Sequence, residues 1–160
     1  APYSRFAETL RNIWALIAAA KRDHGSKVIG VVSAVAREGK TTVASNLAAL
    51  LSVTTRSRVL LIDGDPHRRS LTERLTPGAK EGLLEAISDP EHLSQYVTKI
   101  EQSGLHVLPC ILSDRIPDAA NVLGSPEMER LLEAARDLEN EAAKLEDHSS
   151  EPPKDSSRSR

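Results

Sequence analysis

The chain carries a single cysteine, Cys110, which rules out an internal disulfide and any multi-cysteine metal site. Neither sign of charge is in excess. With 21 Lys and Arg against 23 Asp and Glu the formal net charge is −2, which gives no case for nucleic-acid binding. Apolar runs are short as well. Residues 14–20 (WALIAAA) are flanked by Arg11, Lys21 and Arg22 and fall well below the roughly 20 residues needed to span a bilayer. The same stretch lacks the cationic start and small-residue cleavage site of a secretory signal. The two tyrosines, Tyr3 and Tyr96, lie in no cluster, the five histidines show no close metal-ligand spacing, and no internal repeat is visible.

What is present is concentrated between residues 28 and 42. Residues 28–33 (VIGVVS) form an apolar run that predicts a buried strand, and AVAREGKTT follows it directly. That loop matches the phosphate-binding pattern G-x-x-x-x-G-K-[ST], with Ala34 at the first glycine position. The residue types suit the task. Gly39 lets backbone approach a phosphate, Lys40 supplies a point charge, and the Thr41 hydroxyl can hold Mg²⁺. A helix is predicted next, with Val43, Leu47, Leu50 and Leu51 on one face, aiming its amides and positive dipole end at the same anion.

A second apolar run, Val59, Leu60, Leu61 and Ile62, predicts a strand covered on both faces, as in a parallel sheet. Asp63 and Asp65 stand at its carboxyl end, where open α/β sheets place their ligands, and Gly64 and Pro66 make a turn there. Carboxylates at a buried strand end need partners, and Mg²⁺ with its waters and phosphate ligands is one solution. The alternative for Asp65 is capping of the helix that begins near Ser70. The cluster His67, Arg68 and Arg69 is read as helix-start and phosphate-side charge or, equally, as a solvated turn.

The remaining signals are local. Residues 105–111 predict a third strand, and Cys110 at its end is a small buried hydrophobe. Residues 77–80 form a turn, and residues 88–90 separate two short helices. Ser125 and Pro126 begin a helix as N-cap and first helical residue, with Met128, Leu131, Leu132 and Ala135 facing inward. Near the N-terminus, Phe6, Leu10, Ile13, Trp14 and Ile17 mark an amphipathic helix. Such a stripe packs onto the sheet or, alternatively, makes a subunit or membrane-proximal contact.

The segments SAVAREGKTT and LLIDGDPHRRSL resemble the Walker A and Walker A′ motifs of bacterial tyrosine kinases, the cytosolic ATPase domains of polysaccharide co-polymerases. Similarity continues through residues 82–87, 105–110, 117–123 and 125–132. The opening FAETLR resembles the exopolysaccharide (succinoglycan-type) transport proteins of that group. The resemblance implies an α/β P-loop NTPase of the MinD/ParA-like superfamily, with a partial, mostly parallel sheet flanked by helices. It implies ATP and Mg²⁺ as cofactors. Lys40 would meet the β/γ-phosphates, Arg37, Glu38, Gly39 and Thr42 would line the phosphate loop, and Thr41, Asp63 and Asp65 would serve the metal. Lys40, Asp63 and Asp65 form the catalytic set, with Asp63 also able to accept a tyrosine proton. The implied partners are a membrane-spanning co-polymerase portion or subunit, a second copy of the chain and a tyrosine-containing protein substrate, with no nucleic acid. The implied location is the cytoplasmic face of the bacterial inner membrane, this piece itself being soluble.

Several positions depart from the family pattern. Arg37 replaces a loop glycine, His67 replaces an arginine, and only Arg11 remains of an arginine-rich first helix. Val35 stands where partitioning ATPases, the rival class, carry a signature lysine. The third family motif, a strand ending in Asp, is absent after Arg136, and no tyrosine-rich tail follows. The expected organisation is an N-terminal helix and connection over 1–26, a partial nucleotide-binding domain over 27–136 and a polar, disordered tail over 137–160, truncated or frame-shifted after about Arg136. Two functions follow: a tyrosine autokinase domain governing polysaccharide chain length and export, or a non-catalytic nucleotide-binding scaffold.

Overall fold

A computed structural model of the chain describes residues 4–20, 27–54, 58–111 and 119–149. In chain order the elements are α1 (Arg5–Ala20), α2 (Lys40–Thr54), β1 (Leu60–Ile62), α3 (Ser70–Leu75) and α4 (Leu83–Ser88). A 3₁₀ turn (Pro90–His92) then leads to α5 (Leu93–Tyr96), β2 (Thr98–Ile100), β3 (Leu105–Leu108), α6 (Ala119–Leu123) and α7 (Pro126–Ser149).

The three strands form one sheet in the order β1-β3-β2. β1 pairs parallel with β3 in the register Leu61 opposite Val107, and β2 pairs antiparallel with β3. The parallel pairing runs past the strand ends, because His106 N–H donates to the Val59 carbonyl at 3.1 Å and Asp63 N–H to the Leu108 carbonyl at 3.0 Å. The sheet is therefore mixed. The antiparallel member, β2, is short and escapes the apolar pattern, since Thr98 and Lys99 are exposed. It reaches β3 through a tight turn in which Gly104, at φ 68, donates to the Ile100 carbonyl at 2.8 Å.

Alternation along the strands sorts their side chains onto two faces. Leu61, Leu105 and Val107 pack against Ala48 of α2 and Leu71 of α3. Leu108, with Leu60 and Ile62, packs against Leu83 and Ala86 of α4, Leu93 of α5, and Met128 and Leu131 of α7. Helices thus cover both faces, the layering of an α/β domain. Ser125 caps α7 as expected, accepting the Met128 N–H on its hydroxyl at 3.1 Å.

Helix α2 buries more than the single face its spacing suggests. Ala44 and Ala48 face the sheet, while Val43, Leu47, Leu50 and Leu51 meet Leu10 and Trp14 of α1. Helix α1 therefore packs on α2 and Val59, not directly on the sheet layer. The Lys27 ammonium lies 5.7 Å from the centre of the Trp14 ring and ties the following segment to α1.

Two expectations are corrected. Residues 28–33 form no ladder with any described strand, and Val28 and Val32 are 52% and 90% exposed. The topology supplies the reason. Both edges of β3 are occupied, so this run could join the sheet only at an outer edge. A strand apolar on both sides gains its burial only between neighbours. The second correction is at Arg136, where order was expected to stop. Helix α7 instead continues to Ser149. Its continuation is polar, but Glu, Ala, Lys and Leu are good helix formers. Residues 150–160, like Tyr3, the 21–26 connection and residues 117–118, lie outside the described residues.

Candidate functional site

The loop of residues 34–39 delivers Lys40 to the first position of α2. Two of its residues have left-handed backbone, Gly39 at φ 89 and Arg37 at φ 70. Glycine adopts that region freely, whereas arginine there carries a steric cost of about 1–2 kcal/mol. Arg37 thus takes a backbone conformation that glycine adopts freely. Glu38 folds back over the turn and accepts the Val35 N–H at 3.0 Å, and the Ser33 hydroxyl donates to the Val35 carbonyl at 3.1 Å. A Cβ built on Gly39 would meet nothing within 4 Å, so space beside the loop is open.

Facing the start of α2 is the segment that leaves β1. The Lys40 ammonium pairs with Asp65 Oδ2, and the two side chains are 35% and 17% exposed. Asp65 Oδ1 accepts the Arg68 N–H at 3.2 Å, closing the turn before α3. Asp65 does not cap α3, whose N-cap is Arg69 with no side-chain hydrogen bond; it closes the preceding turn and pairs with the loop lysine. Partial burial pushes its pKa upward, but the Lys40 hydrogen bond, the Arg68 amide and the Lys40 charge together outweigh that and hold it below the ordinary value.

Asp63 is 4% exposed, and its carboxylate is committed to the protein. Oδ2 accepts the Thr72 N–H at 2.9 Å and the Thr72 hydroxyl at 2.7 Å. Oδ1 accepts the Asp65 N–H at 3.1 Å. The Thr72 hydroxyl in turn accepts the Cys110 N–H at 2.8 Å, joining the ends of β1 and β3 through α3. Cys110 is 1% exposed. Burial, followed by the nearby Asp63 charge, pushes its thiol up to about 11. Thr41 lies across from α3, with its hydroxyl 3.0 Å from the Ser70 hydroxyl. Thr42 is exposed, and its carbonyl accepts the Asn46 side-chain N–H at 2.8 Å.

Lys40 and Asp65 are thus brought into contact, Asp63 lies on the same turn, and Thr41 meets α3. Sequence reasoning missed Ser70 and Thr72 as members of this cluster. Thr72 lies nine residues from Asp63 across an irregular turn, where no period could reveal the pairing. The donors gathered here are hard oxygens, two carboxylates and hydroxyls, next to one ammonium. Among the described residues no group of three or more His, Cys, Asp or Glu could hold a metal ion by itself. That set fits Mg²⁺, which takes few protein ligands and completes its shell with water and phosphate.

A phosphate-type loop opening a helix, set against carboxylates at the end of a parallel strand between helical layers, defines an α/β P-loop nucleotide-binding domain. Residues 29–150 match the family described as the CobQ/CobB/MinD/ParA nucleotide binding domain, and the chain belongs to that family. It is 35% identical over 137 residues to the succinoglycan biosynthesis transport protein ExoP of Rhizobium meliloti, covering 85% of this chain and 17% of the relative. It is 28% identical over 129 residues to the putative tyrosine-protein kinase EpsB of Ralstonia nicotianae, covering 81% of this chain and 17% of that protein. The crystal structure of the VpsO kinase domain is similar at a TM-score of 0.62 and 28% identity, covering 83% of this chain and 68% of that one. The chain thus spans 17% of the length of the curated relatives it matches. Among the described residues no helix is long and apolar enough to cross a membrane.

Proposed function

We propose that this chain is the ATP-binding part of a tyrosine autokinase that governs the chain length and export of an exopolysaccharide or capsule. The observation that carries the reading is the contact between the Lys40 ammonium and Asp65. It sets the phosphate-type loop directly against the strand-end carboxylates. The names of its relatives supply the rest: a succinoglycan transport protein and tyrosine-protein kinases.

In this reading Lys40 exchanges Asp65 for the β/γ-phosphates, and the loop amides of residues 37–39 with Thr42 line the phosphate chain. Thr41, Asp63 and Asp65 would hold Mg²⁺, which when bound neutralises phosphate charge. Asp63 Oδ1, with one backbone donor against two donors on Oδ2, is the less committed oxygen and the one that would turn to the metal and to a tyrosine proton. The work of the site is positioning and charge compensation, and both are within reach of these side chains. The partners in this reading are a membrane-spanning co-polymerase portion, further copies of the chain and a tyrosine-bearing protein, at the cytoplasmic face of the inner membrane.

A second reading, a nucleotide-binding scaffold without catalysis, is favoured by α7. The residues where the family resemblance places a third carboxylate-ended strand form a helix instead. Incubation with radiolabelled ATP and Mg²⁺, scoring bound nucleotide and phosphotyrosine separately, distinguishes the two. Phosphotyrosine supports the kinase, binding without it supports the scaffold, and no binding refutes both.

A further inference from the structure

We propose that Ser70 and Thr72, the first and third residues of α3, are positioning residues that aim the metal-side groups of the nucleotide site. This rests on the nucleotide-binding reading above. It assigns roles to two residues outside the two sequence motifs' charged groups, and it works through their side chains, not through the helix end.

The hydrogen-bond directions carry the argument. Thr72 Oγ1 must accept from the Cys110 N–H, because an amide can only donate. Its own proton is therefore free to go to Asp63 Oδ2 at 2.7 Å, and the Thr72 N–H joins it there at 2.9 Å. Two donors on one oxygen fix the plane of the carboxylate, and both groups are buried, at 5% and 4% exposure. Oδ2 is consumed, and the orientation of Oδ1 follows. Buried carboxylates need such donors, and here one residue supplies two of the three.

Ser70 does the equivalent for Thr41. A hydroxyl whose oxygen gives a lone pair to a cation must send its proton elsewhere. The Ser70 oxygen, 3.0 Å away, is the acceptor in place. Either atom can be the donor in this contact, and a cation on the Thr41 oxygen would fix its direction. Two of the three groups that face the metal in this reading, the Thr41 hydroxyl and the Asp63 carboxylate, are thus each oriented by a hydroxyl of α3. Such outer partners commonly decide metal affinity as strongly as the ligands themselves.

The test is ATP binding by calorimetry to the full chain, titrated across Mg²⁺ concentrations and repeated in EDTA. Ser70 is exposed, so Ser70→Ala leaves the packing intact. It should raise the Mg²⁺ concentration for half-maximal binding by about threefold to tenfold, the worth of one hydrogen bond. Metal-free affinity should stay within about twofold, and Ser70→Thr should restore the metal midpoint. Thr72→Val should shift the midpoint at least as far, with Thr72→Ser close to the parent chain. If Thr72→Val fails to fold, the Ser70 pair decides alone. An unmoved midpoint in Ser70→Ala overturns the proposal, and so do equal losses with and without metal, which would mark a structural role. A parent chain that binds no ATP would refute the nucleotide reading itself, whereas a binding parent with an indifferent Ser70→Ala refutes only this inference.

Discussion

Replacing Lys40 by alanine tests the site most directly, because the structure shows the protein group that holds its ammonium. It sits on Asp65, in a pair whose members are 35% and 17% exposed. A pair that open to water contributes at most about 1 kcal/mol to folding, so Lys40→Ala should leave the unfolding midpoint nearly unchanged. Binding is another matter. In the parent chain Lys40 must leave Asp65 or share itself, at a cost of the same small size, and gains a charge-assisted contact with phosphate worth about 1.5–3 kcal/mol. The truncated chain loses that contact and also keeps Asp65 without its lysine, a carboxylate next to an anionic ligand. The net loss is at least about 1.4 kcal/mol, or tenfold in the dissociation constant for Mg-ATP.

The assay is calorimetric binding of Mg-ATP alongside urea unfolding without nucleotide. Asp65→Asn on the Lys40→Ala background should recover part of the loss in metal-free ATP binding, since it removes the unpaired charge, and the double-mutant cycle isolates that coupling. In Lys40→Ala the Asp65 carboxyl should also titrate higher, because the burial that raises it remains while the lysine contacts that lower it are gone. In the parent chain this lowered group stabilises the fold above the ordinary carboxylate range, and the contribution fades as pH falls through its depressed value. Unchanged Mg-ATP affinity in Lys40→Ala would refute the assignment. A loss of affinity that merely tracked lost stability would refute it too.

Three further outcomes follow from the geometry. A Cβ on Gly82 would sit 2.1 Å from the Pro109 carbonyl oxygen, which itself accepts the Leu83 N–H at 2.8 Å. Gly82→Ala must therefore lift α4 off the sheet, lowering stability by about 2–4 kcal/mol in urea unfolding; a parent-like midpoint would contradict this. The Cys110 thiol, pushed up to about 11 and 1% exposed, should not react with Ellman's reagent at pH 8 until the chain is denatured, and prompt reaction in the native chain would be the contrary result. His92 should titrate above its ordinary value, because Asp89 hydrogen-bonds it at 2.9 Å and adds its charge. The associated stability is present while His92 is protonated and disappears as pH rises through the raised value; NMR titration should show Asp89→Asn returning it to normal, and an already normal parent midpoint would refute the pairing.

What the sequence made legible was the chemistry that is local or periodic. The run ending at Asp63 is a strand because four large apolar residues in a row need cover on both sides, and β1 has it. Ser125 and Pro126 announced α7 by cap chemistry alone. The sequence placed the loop and the strand-end aspartates at the same end of the sheet, but the ion pair between Lys40 and Asp65 was seen only in the structure. What stayed hidden depends on partners far along the chain. Residues 28–33 have the composition of a central strand, yet composition cannot say whether a neighbour exists, and among the described strands none pairs with them. Helix α1 met α2 because α2 carries apolar residues on two faces, and the sheet covers only one of them. Ser70 and Thr72 look like ordinary helix-start residues until the fold brings Asp63 and Thr41 to them.

These differences bear on how the two halves of the site are held. The metal side is built into the core, where Asp63, Thr72 and the Cys110 amide form a closed chain of hydrogen bonds that links β1, α3 and β3. Among the described residues no ladder lies behind the phosphate side. Its loop is fixed from the far end by the Val43 N–H to the Gly39 carbonyl at 2.9 Å, and internally by Glu38 on the Val35 amide. Strain at Arg37 therefore cannot be absorbed by a rigid strand and falls on the loop itself. The Glu38 carboxylate takes one of the loop's amides and Asp65 takes the Lys40 ammonium. In the proposed reading a phosphate on Lys40 would compete with Asp65, trading one anion for another on the same donor. Affinity at such a site is governed by differences between similar contacts. In that reading the metal would supply charge that neither carboxylate can, which would make the oriented oxygens of Thr41 and Asp63 the decisive half of the site.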